Sequence, residues 1–186
     1  MTVRLTLVRH AHAAAGYGDH PDPGLDDVGR AQAERVAAAL AHSGPLPLVV
    51  SPLRRTLETA ASLAARWASD LTIDRTVGEI RPPIEDLAGR RAWLADAMAG
   101  SWSDLDDASR RWRDEVLASV RAQPGDAVVV THFIAINAIV GSATHDDRVV
   151  CFAPGNGSCT IVEVDGTGRL QVIELGAEAV TEVRPG

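Results

Sequence analysis

At 186 residues the chain has the length of one α/β domain, and its 46% hydrophobic content can fill one sizeable core without disulfides or a structural metal. A formal net charge of −7 argues against nucleic acid or an anionic membrane as the main partner, and no apolar run approaches the length of a membrane span. The N-terminus "MTVRLTLVRH" carries no export signal, and the two cysteines, Cys151 and Cys159, lie in apolar surroundings that suit buried thiols, so a cytoplasmic protein is expected.

Residues 3 to 8 alternate apolar and polar and then break at Arg9 and His10, the pattern of a strand that delivers those two side chains at its carboxyl end. The glycines and prolines of 11 to 24 predict a loop. Val28, Gln32, Val36 and Leu40 then recur at helical spacing behind Asp26, an N-cap residue, and Gly44 closes the helix. "LPLVV" reads as a buried strand. The following helix is expected to open with Ser51 as N-cap and Pro52 at its first position, and to bury Leu53, Leu57, Ala60, Ala61 and Ala64.

A short strand near "LTID" leads through "RTVGEIRPP" to two helical segments, about 87 to 99 and 104 to 122, the second marked by Leu105, Ala108, Trp112, Val116 and Val120. "AVVVTH" has the continuous apolar character of a parallel strand, and "FIAINAIVG" reads as a buried helix stopped at Gly141. Beyond it, short β runs separated by "PGNG" and "DGTG" predict antiparallel edge strands. The expected fold is therefore α/β: a three-layer sandwich with a mainly parallel central sheet flanked by helices, in a single domain over 1–186, with residues 80–124 as a helical, cap-like insertion.

Ligands of open α/β sheets bind outside the carboxyl ends of the strands. Three such ends carry Arg9 with His10, Ser51 with Arg55 shortly after it, and His132. Two guanidinium groups and two imidazoles meeting at one rim would be costly without a dianion among them. Phosphate is the natural one, because arginine's planar fork matches two of its oxygens.

These residues lie in four segments that, in this order, resemble the histidine phosphatase superfamily of phosphoglycerate mutase-like proteins. "LVRHAHA" is similar to the family's Arg-His-Gly signature and "GLDDVGRAQAERVAAAL" to its Leu-Thr-x-x-Gly-x-x-Gln-Ala helix. "SPLRRTLETA" is similar to its Ser-x-Leu-x-Arg-Ala-x-x-Thr-Ala segment, and "VVVTHFIAIN" to its late strand ending in histidine. The resemblance implies a phosphatase in which His10 attacks phosphorus, Arg9, Arg55 and His132 hold the phosphoryl oxygens, and Glu79 protonates the leaving oxygen. In the family register Arg55, not Arg54, is the clamp. Glu85 and Asp86 are alternatives to Glu79. It further implies a small phosphorylated substrate, inorganic phosphate as product, and neither cofactor nor metal, so His12 and His20 are not expected to form a metal site. No oligomeric state follows.

The chain departs from the pattern at Ala11 in place of glycine, at His12 where an acid is common, and at Gly16 in place of asparagine. It departs again in "IRPPIEDLAG", where broad-specificity members carry Gly-x-Trp-Glu-Gly. Specificity then falls to 80–104 and 148–158, with Arg81, Arg90, Arg91, Trp93, Trp102 and Arg148 as rim candidates. Asn156, Gly157 and Ser158 either touch substrate or form a plain turn. A mutase, a protein phosphohistidine phosphatase and a silent phosphate binder stand as alternatives; the chain is short for the first, long for the second, and keeps a nucleophile the third does not need.

Overall fold

The longest unbroken apolar strand sequence, "AVVVT", is buried on both faces. A computed structural model describes residues 1–16 and 19–179. Positions 17 and 18 of the expected loop, and 180–186 of the expected domain, lie outside the described residues. Among the described residues six strands form one sheet: β1 (Val3–Arg9), β2 (Leu48–Val50), β3 (Leu71–Ile73), β4 (Ala127–Thr131), β5 (Cys159–Val164) and β6 (Leu170–Glu174), in the spatial order β3-β2-β4-β1-β5-β6. β3, β2, β4 and β1 pair in parallel, while β5 joins β1, and β6 joins β5, in antiparallel fashion. This is the mainly parallel sheet with an antiparallel C-terminal edge that the sequence predicts.

The helices are α1 (Asp27–Leu40), α2 (Arg54–Trp67), α3 (Leu87–Ala99), α4 (Asp107–Arg121) and α5 (Phe133–Thr144). Period-two alternation divides the strands between two cores. Leu5, Leu7, Val129 and Ala127 pack toward α4 and α5 with Val116, Val120, Ile136 and Ile139. Val8, Val128 and Val130 pack toward α1 and α2 with Val36, Ala37, Ala60 and Leu63. Because β4 serves both cores, every one of its residues is buried. A third cluster joins Trp93, Leu94 and Met98 of α3 and the buried Trp102 to Ile134 and Ala138 of α5. Trp102 stacks on Trp112 at 6.0 Å between centroids.

Local chemistry explains where the helices differ from their expected ends. α1 starts as predicted, with Asp26 accepting from the Gly29 N–H at 2.7 Å. Its inward face is Gly29, Ala33, Val36 and Ala37, whereas Val28 is exposed. α2 begins at Arg54, not at Ser51 and Pro52, and its N-cap residue Leu53 has no capping side chain. The Arg54 N–H is instead met by Asp22 from the preceding loop, at 2.9 Å. Its buried face is Arg55, Thr56, Thr59, Ala60 and Leu63, and Ala61 points outward. α4 starts at Asp107, three residues late, because Trp102–Asp104 forms a separate 3-10 turn; Ala108 is exposed. α5 runs through Gly141 to Thr144 and ends with His145 in the left-handed region at φ 59°. Gly141 serves close packing there, since a Cβ would lie 2.8 Å from the Asp146 carbonyl oxygen.

Candidate active site

β4 lies between β2 and β1, so the three strand ends that carry the candidate residues are direct neighbours. The ladder registers Arg9 with Thr131 and Val50 with Val130, and it continues one step past the strands. The His10 N–H donates to the Thr131 carbonyl at 2.9 Å and the Ser51 N–H to the Val130 carbonyl at 3.1 Å. His10, Ser51 and His132 therefore leave the sheet side by side.

Arg55, buried in the first turn of α2, bridges the two imidazoles. Its Nε donates to His10 Nε2 at 3.2 Å and its Nη2 to His132 Nδ1 at 3.2 Å, and the two rings stand 5.2 Å apart. His10 Nδ1 donates to the Ala11 carbonyl at 2.8 Å, which leaves a lone pair on Nε2 facing the guanidinium. Burial, with Arg55 next in importance, pushes the His10 pKa down to about 3, so the ring is neutral near pH 7. His132 is held well below the ordinary histidine range, first by burial and then by the positive groups around it.

Arg9 is fixed by a bond from Nη1 to the Pro154 carbonyl at 2.7 Å, and its guanidinium carbon lies 5.0 Å from the centroid of the Phe133 ring. Its buried Nε has no hydrogen-bond partner among the described residues. Glu79 sits at the amino end of α5, where its carboxylate accepts from the Ile134 N–H at 3.5 Å and from its own neighbour, the Ile80 N–H, at 3.1 Å. Loss of water raises its pKa to about 7 against the opposing pull of those two amides and of Arg55 and Arg9. Among the sequence alternatives, Asp86 caps α3 through the Gly89 N–H at 2.6 Å and Glu85 is exposed. Arg54 is paired with Glu58 on the outer side of its helix.

Four further residues hold this constellation together. Thr59 Oγ1 donates to the Arg55 carbonyl at 2.6 Å and accepts from the Ala11 N–H at 2.9 Å, tying the clamp helix to the loop after His10. Asn156 Nδ2 donates to the His10 carbonyl at 3.0 Å, a backbone brace that neither the substrate-contact nor the plain-turn reading anticipated. Thr131 Oγ1 donates to the Val77 carbonyl at 2.6 Å, and Ser51 Oγ lies 2.7 Å from His132 Nε2. Thr59 stands in the threonine of the family's clamp segment, a signal visible in sequence. Asn156, Thr131 and Ser51 gave no signal beyond a polar residue beside a strand end or turn.

The rim candidates fare unevenly. Trp102 is only 1% exposed and belongs to the third apolar cluster, so it is not a rim contact. Arg148 pairs with Asp146 at 2.6 Å, Arg90 donates to the Ile84 carbonyl at 2.8 Å, and Arg91 is bonded to Asp19 of the loop. Trp93 packs against the third cluster, and Arg81 is exposed. His12 is exposed and pairs with Asp26 at 2.8 Å; His20, His42 and His145 are exposed. Both cysteines are free thiols, and burial pushes Cys159 up to about 11. No helix among the described residues is long and apolar enough to cross a membrane.

Known proteins match the chain in sequence and in fold. A sequence model of the histidine phosphatase superfamily (branch 1) matches residues 5–175. A glucosyl-3-phosphoglycerate phosphatase of Mycolicibacterium vanbaalenii is 34% identical over 116 residues, which is 60% of this chain and 48% of the relative. The chain thus spans about half the length of the curated relatives it matches first. A mycobacterial glucosyl-3-phosphoglycerate phosphatase solved with inorganic phosphate superposes with a TM-score of 0.65 at 24% identity, covering 95% of this chain and 98% of that one. Phosphoserine phosphatase from Entamoeba histolytica, solved with 3-phosphoglyceric acid, gives a TM-score of 0.71 at 17% identity, with 94% and 97% covered. With the match running from the first strand to the last, this chain belongs to the histidine phosphatase superfamily.

Proposed function

We propose that the protein is a phosphatase that hydrolyses a small phosphomonoester through a phosphohistidine on His10. The observation that carries this reading is the pair of buried imidazoles bridged by Arg55, with the unprotonated Nε2 of His10 turned toward the guanidinium. A neutral imidazole needs no base to free its lone pair, so His10 can attack phosphorus directly. Arg55 and Arg9 then exchange their present partners for phosphoryl oxygens, where charge spreads in the transition state and donors count most. His132 is the third contact to those oxygens. Glu79, with a pKa near 7, is protonated often enough to supply the leaving alkoxide with a proton, and its carboxylate can then draw a proton from the water that attacks phosphohistidine.

The domain reading fits the same picture. Residues 80–124 act as a cap over the site in this proposal, anchored by Trp93, Leu94, Met98 and Trp102 on the helix that begins just after His132. The relatives' named substrates make phosphorylated glyceric acids, free or glycosylated, and phosphoserine reasonable first entries in a substrate panel. The test is phosphate release from a panel of phosphorylated metabolites together with trapping of an acid-labile phosphoenzyme. Release with a trapped intermediate is expected; transfer between positions of the substrate without release would establish a mutase, and neither signal would leave a phosphate binder.

A further inference from the structure

The sequence offers Ser51 as a helix cap, but α2 begins at Arg54 and the Ser51 hydroxyl is turned to His132 instead. Both residues are fully buried. The partners around them fix where protons sit. Arg55 Nη2 lies 3.2 Å from His132 Nδ1, and a guanidinium only donates, so Nδ1 must accept. A neutral imidazole then carries its one proton on Nε2, which faces Ser51 Oγ at 2.7 Å. That oxygen also receives the Leu53 N–H at 3.4 Å, so its two acceptor sites are matched by two donors.

We propose that Ser51 is a positioning residue: by accepting the Nε2 proton of His132 while Arg55 donates to Nδ1, it helps hold the ring in the one tautomer that keeps Nδ1 bare toward the phosphate pocket until an anion fills it. This rests on the phosphatase reading for its catalytic consequence. A phosphoryl oxygen cannot donate to Nδ1 unless it is itself protonated, so His132 contributes to holding a dianion only by gaining a proton there. The groups facing His132 are Arg55 of α2, Arg9 and His10 at the end of β1, and Ser51 after β2. The free site, rich in positive charge, opposes that gain, and a bound dianion reverses the opposition. Nε2 keeps its proton, because the Ser51 hydroxyl it faces, already accepting from the Leu53 N–H, is far too weak a base to take it. The gain is thus on the pocket side: one proton taken from water or from a protonated phosphate ester, with Nε2 unchanged.

The experiment is nitrogen NMR of the histidine rings in 15N-histidine-labelled protein at pH 7, free and with sulfate, a dianion that does not titrate there. In the free wild-type protein His132 is expected to show a bare Nδ1 and a protonated Nε2; on sulfate addition Nδ1 should move to the protonated type while Nε2 stays. A proton on Nδ1 in the free protein, or departure of the Nε2 proton with sulfate, would overturn the proposal. In Ser51→Ala the free ring, held by Arg55 alone, should lose the signature of a hydrogen-bonded Nε2 proton, with kcat/KM reduced about 10- to 100-fold, as expected when a buried donor loses its acceptor; Ser51→Thr, which keeps the oxygen, should restore that signature. An unchanged ring and unchanged kcat/KM in Ser51→Ala would also overturn it. The free-state spectrum needs no turnover, so a protein with the expected tautomer but no phosphatase activity would sink the functional reading alone.

Discussion

The hydroxyl of Thr131 donates to the carbonyl of Val77 across 2.6 Å, and so the last residue of β4 holds the segment that carries Glu79. Thr131 is fully buried. Thr131→Val keeps the shape and removes the donor, which leaves a buried carbonyl unsatisfied at a cost of about 1–3 kcal/mol. The variant should fold with a lowered Tm and lose activity mainly on esters with poor leaving groups, as a displaced proton donor requires. Steady-state kinetics on an alkyl phosphate and on nitrophenyl phosphate, side by side, decide it; equal losses on both would disconnect Thr131 from Glu79.

Replacing the proposed nucleophile is the plainest test. His10→Ala should lower kcat by at least about a thousandfold, as loss of a covalent nucleophile does, and abolish the acid-labile phosphoenzyme, with the circular dichroism spectrum unchanged. Near wild-type turnover in this variant would remove the proposed chemistry.

pH should act through Glu79 rather than through His10. The His10 pKa of about 3 means no acid limb centred on the ordinary histidine value. The Glu79 pKa of about 7 means that turnover of poor-leaving-group esters falls as pH rises through that value. Glu79→Gln should flatten this limb and cost about 10²- to 10⁴-fold on such esters, the usual range for a general acid.

The same shift has a stability sign. A carboxyl raised from 4.5 to about 7 favours the folded state most fully below the lower value, and that contribution is lost as pH climbs through the upper one. His10, shifted down, acts in the opposite sense, its contribution being present above 6.5 and lost as pH falls toward 3. Chemical denaturation between pH 4.5 and 7 should therefore show wild type losing ground to Glu79→Gln as pH rises, with His10 unchanged between the two proteins.

Gly29 lies in the first turn of α1, where alanine would ordinarily gain about 1 kcal/mol of helix propensity. Here a Cβ would lie 2.0 Å from the His12 carbonyl oxygen, a backbone atom that cannot step aside. Gly29→Ala should destabilise by about 1–3 kcal/mol, the scale of overpacking, and displace the loop that follows His10. Urea denaturation measures the first effect, and a raised KM would report the second.

Much of this molecule was legible in its sequence because its signals are local. β4 announces itself by an unbroken apolar run, α3 by its period and the N-cap of α1 by side-chain chemistry, and the strand ends by polar residues stopping apolar runs, whereas α1 ends at Leu40 and a 3-10 turn, Ala41–Ser43, intervenes before Gly44. Gly29 could be read as a family feature, but its reason, a carbonyl from seventeen positions earlier, needs three dimensions. The start of α2 was misplaced for a related cause. Ser51 and Pro52 make a sound helix opening by propensity, yet the hydroxyl is drawn to a histidine 81 residues away and the cap comes from Asp22 in another loop. Trp102 was read as rim because tryptophan between polar residues looks exposed; the apolar faces that cover it come from α3, α4 and α5.

The turn before β5 grips Arg9 and His10 at four points: Pro154 on the Arg9 side chain, Asn156 on the His10 carbonyl, Gly157 on the Arg9 carbonyl and Ser158 on the Arg9 N–H. His10 and Asn156 are 146 residues apart in the chain. The proposed nucleophile and its support are thus brought together only by the pairing of β1 with β5. The site is therefore assembled only when the long-range contacts between β1 and the turn before β5 have closed, and contacts of such sequence separation form slowly. If the proposed phosphate chemistry waits on that closure, a time course of activity during refolding should trail the appearance of the helices.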